Sequence, residues 1–191
     1  MADINPGTDS RRRDADEQEG DKPVAASAGA DAPACLAVPF VELLFFAYRD
    51  FTAEPDSVLC DYDFGRAHHR VLHFVFRNPG LRVADLLVIL KITKQSLARV
   101  LRQLIDDGFI TQEPGRTDRR ERHLYVTERG GALAEQLLAL QCDRIGKALA
   151  EAGPEAAGHI RSFLMSIIAE EDREGVAKLI DRTSIAGSPR T

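Results

Sequence analysis

Arginine is concentrated in one short stretch of this 191-residue chain, and the members of that cluster are Arg116, Arg119, Arg120 and Arg122. Guanidinium groups form paired hydrogen bonds with phosphate oxygens, so the cluster is suited to binding a polyanion. Asp118 stands among the arginines, and because phosphate would repel a carboxylate, we expect Asp118 to orient Arg120 by pairing with its guanidinium. The stretch taken alone is equally compatible with a solvated, charged hairpin.

The residues that follow the arginine cluster alternate in polarity. Leu124 and Val126 would face one side of an extended segment, whereas His123, Tyr125 and Thr127 would face the other. A period of two is typical of a half-buried strand. Residues 109–112 supply a second short strand that can pair with it. The sequence therefore predicts a two-stranded wing that carries the arginines on its turn.

Two helices are predicted immediately before the wing. Residues 82–90 carry apolar side chains at helical spacing, and Lys91 and Ile92 then form a tight turn. The second helix runs from about Thr93 to Asp107 and stops at Gly108, a residue type favoured just after a helix C-terminus. The threonine at its start is a suitable N-cap. The order is therefore helix, turn, helix and wing.

The second helix has the features of a recognition helix, whose first turn meets base edges in the major groove of DNA. A glutamine in such a helix pairs with adenine, and an arginine binds guanine or clamps phosphate. Arg102 has an alternative partner in Asp106, four residues further on, with which it could form a surface ion pair. The candidate DNA contacts on this helix are Thr93, Lys94, Gln95, Ser96, Arg99 and Arg102, and the four arginines of the wing are added to them.

This segment resembles the winged helix-turn-helix of the MarR family of bacterial transcription regulators. The wing pattern of that family, Asp-x-Arg followed by an alternating strand and Thr-x-x-Gly, is matched by Asp118, Arg120, Leu124, Val126, Thr127 and Gly130. The Asp-Gly-Phe-Ile of residues 107–110 fits as well, and the likeness covers roughly residues 40–172. Residues 64–74, Phe-Gly-Arg-Ala-His-His-Arg-Val-Leu-His-Phe, resemble an alphaproteobacterial subgroup.

The expected fold is mainly α with a small β wing, a winged helix-turn-helix at about 64–130 with long N- and C-terminal dimerisation helices at about 38–52 and 128–180. Within the last span, one helix is predicted at about 128–152 and another at about 155–179. So many amphipathic helices are best explained by a homodimer, as the resemblance also implies, with a monomeric helical bundle as the alternative. A two-fold dimer would place its recognition helices about 34–36 Å apart, so the target should be an imperfect palindrome.

The charge of the chain is unevenly distributed. The net charge of -5 argues against nucleic-acid binding, but residues 91–123 alone carry eight Lys and Arg against five Asp and Glu. Residues 1–35 carry eight acids and four bases without an apolar period, which predicts a disordered acidic tail. The MarR-type domain is expected at 36–181 and a flexible C-terminus at 182–191.

The resemblance also implies a ligand pocket between the helices and the DNA-binding part, suited to an anionic or phenolic effector. Its candidate residues are Tyr48, Arg49, Arg66, His68, His69, Arg70 and His73. His69 and His73 have the four-residue spacing of a metal site, but two ligands are too few and no third is visible. We therefore interpret them as hydrogen-bonding histidines and expect no metal and no cofactor.

Three widely spaced cysteines, Cys35, Cys60 and Cys142, argue against a disulfide framework and a zinc motif. Some members of the family sense oxidants through cysteine, and Cys35 is the best candidate for that role here. No apolar run approaches a membrane span and no signal peptide is evident, so a cytoplasmic protein is expected.

No catalytic motif is present, so the chain is not expected to be an enzyme. The predicted function is a sequence-specific, ligand-responsive DNA-binding regulator, by default a repressor because a bound dimer blocks the promoter, although activation stays open. The alternatives are a winged-helix module for protein contact and a redox-sensing regulator acting through Cys35.

Overall fold

The structure, a computed structural model, describes residues 32–115 and 118–186, with side chains from 37–115 and 118–181. The order of elements is that of a mainly α protein with a small sheet, as the sequence predicts. The elements are α1 (Ala32–Cys60), α2 (Arg66–Arg77), β1 (Leu81–Arg82), α3 (Val83–Leu90), α4 (Lys94–Asp106), β2 (Ile110–Pro114), β3 (Arg122–Val126), α5 (Glu128–Ala152), α6 (Ala156–Ile167) and α7 (Glu170–Ala186).

The core is built by α2, α3, α4 and the first half of α5. Each of these helices buries one apolar face, and the leucines at the centre, Leu72, Leu86 and Leu104, are fully inaccessible to solvent. Burial of a leucine side chain contributes about 1.5–3 kcal/mol, so this shared core fixes the two helices of the helix-turn-helix against each other. The turn between them is tight because Lys91 adopts a left-handed conformation, with φ of 50°.

The wing is an antiparallel sheet in the order β1-β3-β2. Strands β2 and β3 pair from Ile110 opposite Val126 to Pro114 opposite Arg122, as the alternation predicts, and Leu124 is fully buried. Strand β1 on the other edge of β3 was not predicted, because Arg82 was interpreted as the start of a helix. Gly80, with φ of +81°, turns the chain so that its N–H donates to the carbonyl oxygen of Leu124 at 2.9 Å.

Helix α1 is longer than the predicted span of 38–52. It begins at Ala32, inside the segment assigned to the acidic tail, and continues to Cys60 despite a proline at position 55. A proline in a helix removes one backbone hydrogen bond. Here Pro55 is fully buried and Leu59 is 1% exposed, so core packing holds the last turns of the helix in place. The rest of the predicted tail and residues 187–191 lie outside the described residues.

The prediction of one helix over 155–179 is wrong. Helix α6 ends at Ile167, Ile168 is extended, and α7 starts at Glu170 with three acidic residues in its first turn, where the helix dipole favours negative charge. Arg173 stabilises the break because its guanidinium donates to the carbonyl oxygens of Ile168 and Ser166 at 2.9 and 2.7 Å. A local arginine therefore satisfies the carbonyls that the break leaves without helical partners.

Helices α1 and α6 expose apolar faces. Phe40, Phe45 and Phe46 of α1 are 57%, 71% and 55% exposed, and Phe163 of α6 is 44% exposed. Helix α6 buries none of its residues in the single chain. A contiguous apolar surface of this kind is unusual on a monomer. Although α1 is long and apolar, none of the described helices combines the length and apolarity needed to cross a bilayer.

Candidate nucleic-acid interface

The first turn of α4 is fixed by its N-cap. The Thr93 hydroxyl oxygen accepts a hydrogen bond from the Ser96 backbone N–H at 3.1 Å, and the two hydroxyl groups lie 2.9 Å apart. Lys94 and Gln95 are exposed in that turn. The predicted start of this helix and its N-cap are therefore confirmed, and its first polar side chains face solvent.

Arg99 and Arg102 lie on the exposed face of α4, opposite its buried leucines. Within the described residues, neither guanidinium makes an ion pair or a hydrogen bond, so the alternative pair between Arg102 and Asp106 does not form. Gln103, by contrast, is engaged inside the fold, because its amide contacts the His68 ring at 2.9 Å and the Asp63 carbonyl oxygen at 3.3 Å. The free cations of α4 are thus presented on one outward surface.

The turn of the wing carries Arg119 and Arg120, both exposed. Arg122 is exposed at the start of β3, and its guanidinium donates to the Arg119 carbonyl oxygen at 3.3 Å. Arg116 lies outside the described residues. The wing therefore presents its described arginines to solvent next to the strand that anchors them.

Asp118 makes a different contact from the one predicted. Its carboxylate accepts a hydrogen bond from the backbone N–H of Arg120 at 2.8 Å, and the pairing with the Arg120 guanidinium is not formed in the described wing. An aspartate carboxylate that accepts a hydrogen bond from the backbone N–H two residues further along the chain closes a tight turn. Because the carboxylate binds the backbone, the Arg120 guanidinium makes no ion pair in the part of the chain that the structure describes. The predicted pairing of Asp118 with the Arg120 guanidinium is therefore wrong. Asp118 contacts Arg120 only through the backbone N–H of that residue.

Arg82 is the residue of this region that sequence reasoning missed. It occupies the N-cap position of α3 but makes no capping bond. Its guanidinium instead binds both carboxylate oxygens of Asp85 at 2.7 and 2.8 Å and one oxygen of Glu121 at 2.9 Å. The Glu121 carboxylate raises the pKa of Arg82, after the larger effect of Asp85, and Arg82 lowers the pKa of Glu121. The sequence offered one signal for this role, because Arg82 stands at the start of a helix, where a capping residue such as Ser, Thr, Asp or Asn is favoured.

A cavity of about 430 Å³ opens between α1, α2 and α5. Of the predicted effector residues, Arg49 and His68 are not among its walls. Arg49 pairs with Asp50 at 2.7 Å, and His68 binds Gln103 and the backbone N–H of Gly65. The walls are Tyr48, Phe51, Thr52, Arg66, His69, Arg70, His73, Phe74 and Gln141.

The cavity combines fixed positive charge with uncharged imidazoles. Burial lowers the pKa of His73 to about 4, helped by the positive charges of His69 and Arg77, and burial also lowers the pKa of His69. Arg66 pairs with Asp56 at 2.8 Å, and its guanidinium lies 5.4 Å from the centre of the Tyr48 ring. Near neutral pH the arginines therefore supply the positive charge of this cavity, and the histidines supply neutral hydrogen-bonding groups.

Neither a metal site nor a redox centre emerges from the described part of the chain. It contains no group of three or more metal-binding side chains, so His69 and His73 remain without a third ligand there. Cys60 and Cys142 are free and exposed. The side chain of Cys35 lies outside the described residues, so its proposed role stays a prediction.

Comparison with known proteins identifies the fold and the family. Residues 62–121 match the model of the MarR family. Over 128 residues, the chain is 50% identical to the HTH-type transcriptional regulator PetP of Rhodobacter capsulatus, covering 67% of this chain and 77% of PetP. The chain belongs to the MarR family. The resemblance found in the sequence is confirmed, and the alphaproteobacterial subgroup agrees with the Rhodobacter relative.

Solved structures share the fold of this MarR-family protein at low sequence identity. FabT of Streptococcus pneumoniae, solved in complex with DNA, superimposes with a TM-score of 0.61 at 16% identity and covers 68% of this chain and 92% of its own. A mutant MarR of E. coli complexed with operator DNA superimposes with a TM-score of 0.55 at 18% identity. The match covers 73% of this chain and 100% of the MarR chain. Because the family and the PetP relative are transcriptional regulators, this MarR-family chain is a regulator rather than an enzyme.

Proposed function

We propose that this MarR-family regulator is a homodimer that binds a palindromic operator in the cytoplasm and represses transcription until a small effector releases it. The observation that carries the proposal is the arrangement of cations that make no ion pair within residues 32–115 and 118–186. Arg99 and Arg102 project from α4, and Arg119 and Arg120 project from the wing, on a chain whose overall charge is negative. Exposed guanidinium groups are what phosphate contact and guanine recognition require.

The roles of the individual side chains follow from their positions. The residues at the start of α4, Thr93, Lys94, Gln95 and Ser96, would face base edges and phosphates of the major groove, together with Arg99 and Arg102. The arginines of the wing, including Arg116, would flank or enter the minor groove. Asp118 would act through the backbone turn that holds Arg120 exposed.

The exposed faces of α1 and α6 support the homodimer. A second copy of the chain would remove the exposed phenylalanines of α1 and α6 from water, and a closed two-fold assembly buries the same face on both copies. A monomeric bundle is disfavoured because the single chain leaves these side chains exposed. In a dimer, the two recognition helices would lie about one turn of B-DNA apart.

The cavity beside α2 supports an effector of anionic or phenolic character. Arg66 and Arg70 supply positive charge at its wall, Tyr48 and Phe74 supply aromatic surface, and the buried imidazoles supply neutral hydrogen-bonding groups. A bound effector shifts the protein toward release only if it binds the released state more tightly than the DNA-bound state. We expect this cavity to be the place where that difference arises.

The test is a titration of the purified protein against the duplex upstream of its own gene, with a scrambled duplex of equal length as control. Arg102→Ala and Arg120→Ala should weaken binding to the native duplex. Lys147→Ala, which removes the same charge from an exposed position on α5, should leave binding close to wild type. Loss of one phosphate contact should also reduce the slope of log affinity against log salt by about 1.

The same titration separates the alternative functions. A module for protein contact would bind both duplexes equally or not at all. A redox regulator would bind the native duplex selectively but lose that binding on oxidation, and Cys35→Ser would remove the sensitivity. Selective binding that is unaffected by oxidation but reversed by a small anion or phenol would support the full proposal.

A further inference from the structure

Glu121 lies at the centre of a set of contacts that joins the wing to the start of α3. One oxygen of its carboxylate accepts from the Arg82 guanidinium at 2.9 Å, and the other lies 3.3 Å from the His123 ring nitrogen Nε2. The second ring nitrogen of His123 lies 3.0 Å from the carbonyl oxygen of Gly80. A neutral imidazole has one N–H, so His123 donates either to Gly80 or to Glu121. The contacts of the three side chains thus link β1, the wing turn and β3 in addition to the sheet ladder.

The backbone of the wing turn depends on the same residue. The Glu121 carbonyl oxygen accepts from the Gly115 N–H at 3.0 Å, and the Glu121 N–H donates to the Asp118 carbonyl oxygen at 3.1 Å. The turn that these bonds close carries Arg119 and Arg120. A restraint on Glu121 is thus a restraint on the exposed arginines beside it.

The position of a carboxylate beside DNA-facing arginines is otherwise unfavourable. Glu121 would repel phosphate and lower affinity, as any acid in the footprint does. Arg82 stands at the N-cap position of α3 although its guanidinium has no acceptor atom with which to cap that helix, and it binds Glu121 instead. Both features are explained if the contact between them serves the placement of the wing.

We infer that Arg82, Glu121 and His123 form a strut that sets the position of the wing arginines relative to α4, and that Glu121 is a positioning residue for DNA binding. The expected effect on DNA binding rests on the proposed function. The strut itself is a property of the free protein, so it is testable without DNA. Arg82 acts through Glu121 rather than on phosphate.

The effect of Glu121→Ala on DNA affinity distinguishes a positioning role from a simple charge effect. If Glu121 acted only through its charge, Glu121→Ala would strengthen DNA binding, because one repulsive carboxylate is removed. The strut predicts the opposite, a several-fold loss of affinity for the native duplex and a salt slope reduced by about 1 or more as wing contacts are lost. Glu113→Ala provides the matched control, since Glu113 is an exposed acid of β2 whose side chain makes no hydrogen bond or ion pair with the described residues.

The decisive experiment combines amide hydrogen exchange of the full-length free protein with duplex titrations of Glu121→Ala, Glu113→Ala and Arg120→Ala. Exchange at the amides of Gly115, Arg120 and Glu121 should speed up in Glu121→Ala and stay unchanged in Glu113→Ala, while the amides of α4 stay protected in both. Arg120→Ala should cost less affinity in the Glu121→Ala background than in wild type. Active fractions from stoichiometric titration remove any effect of partial unfolding from these affinities.

Two results would overturn the strut: unchanged exchange in the wing turn of Glu121→Ala, or DNA binding by Glu121→Ala that is as tight as that of Glu113→Ala. If wild-type protein prefers no duplex, the proposed function fails, yet the exchange measurement still decides whether the strut exists. Glu121→Gln, which keeps an oxygen acceptor for Arg82, should fall between wild type and Glu121→Ala.

Discussion

A Cβ atom placed on Gly130 would lie 2.0 Å from the carbonyl oxygen of Phe109. The first turn of α5 therefore packs directly on the backbone at the start of β2. Thr127 completes this contact, because its hydroxyl donates to the Gly108 carbonyl oxygen at 2.8 Å and accepts from the Gly130 N–H at 3.0 Å. The Thr-x-x-Gly spacing of the family has a physical reason in this chain: the threonine caps the helix, and the glycine lets it approach the strand.

Gly130→Ala should destabilise the protein by about 1–3 kcal/mol, since the added methyl group overlaps backbone atoms that cannot move aside independently. Gly131→Ala is the matched control, because its Cβ would meet only a Val126 methyl group at 3.9 Å. Alanine there should be neutral or stabilising by up to about 1 kcal/mol, as it is a better helix former. Urea unfolding of both variants checks the prediction, and equal stabilities would contradict it.

The histidines of the cavity should make stability depend on pH. Because burial lowers the pKa of His73 to about 4 from 6.5, the unfolded chain binds a proton more readily than the folded one between these values. Stability is therefore full above about pH 6.5 and falls as the pH drops toward 4. His73 alone should account for about 2 kcal/mol of that loss by pH 5.

The measurement is the free energy of unfolding at about pH 7.5 and about pH 5 for wild type, His73→Gln and His159→Gln. The difference in unfolding free energy between the two pH values should be smaller in His73→Gln than in wild type. It should be unchanged in His159→Gln, which alters an exposed histidine of α6. A difference that is the same in all three proteins would show that His73 titrates alike in the folded and unfolded states.

Phe45→Glu should break the homodimer. Phe45 is 71% exposed in the single chain, and a carboxylate buried at its position between two subunits would lack a partner. Val88→Glu is the control, because Val88 is 74% exposed on α3, outside the apolar faces of α1 and α6. Sedimentation should find wild type and Val88→Glu as dimers and Phe45→Glu as a monomer. A dimeric Phe45→Glu would place the interface on another surface.

The cavity should bind an aromatic acid through Arg70. Arg70 lines the cavity, and its guanidinium also donates to the Leu90 carbonyl oxygen at 3.3 Å, next to the turn that leads into α4. With 4-hydroxybenzoate as the probe, calorimetry should detect binding to wild type and to Arg49→Gln, whose side chain does not line the cavity. Binding should weaken strongly in Arg70→Gln. Equal binding by the two variants would mean that the probe binds elsewhere.

The helix-turn-helix and the wing could be predicted from the sequence because their signals are local. Thr93 as an N-cap, Gly108 after the helix and the alternation around Leu124 act through neighbouring residues and need no distant partner. The bounds of α5 were predicted for the same reason. The break after α6 was missed because it depends on Arg173, whose side chain reaches back over several residues to satisfy backbone carbonyls.

By itself the sequence determined the family, the second helix of the helix-turn-helix and the wing with its arginines, since periodicity and short motifs encode them. Only the tertiary structure decided which charges are free and which are paired. Glu121 bonds Arg82 across 39 positions of the chain, and Asp118 binds a backbone amide instead of a guanidinium. Which charged groups pair depends on distances between side chains that folding brings together. The order of charges along the chain does not specify those distances.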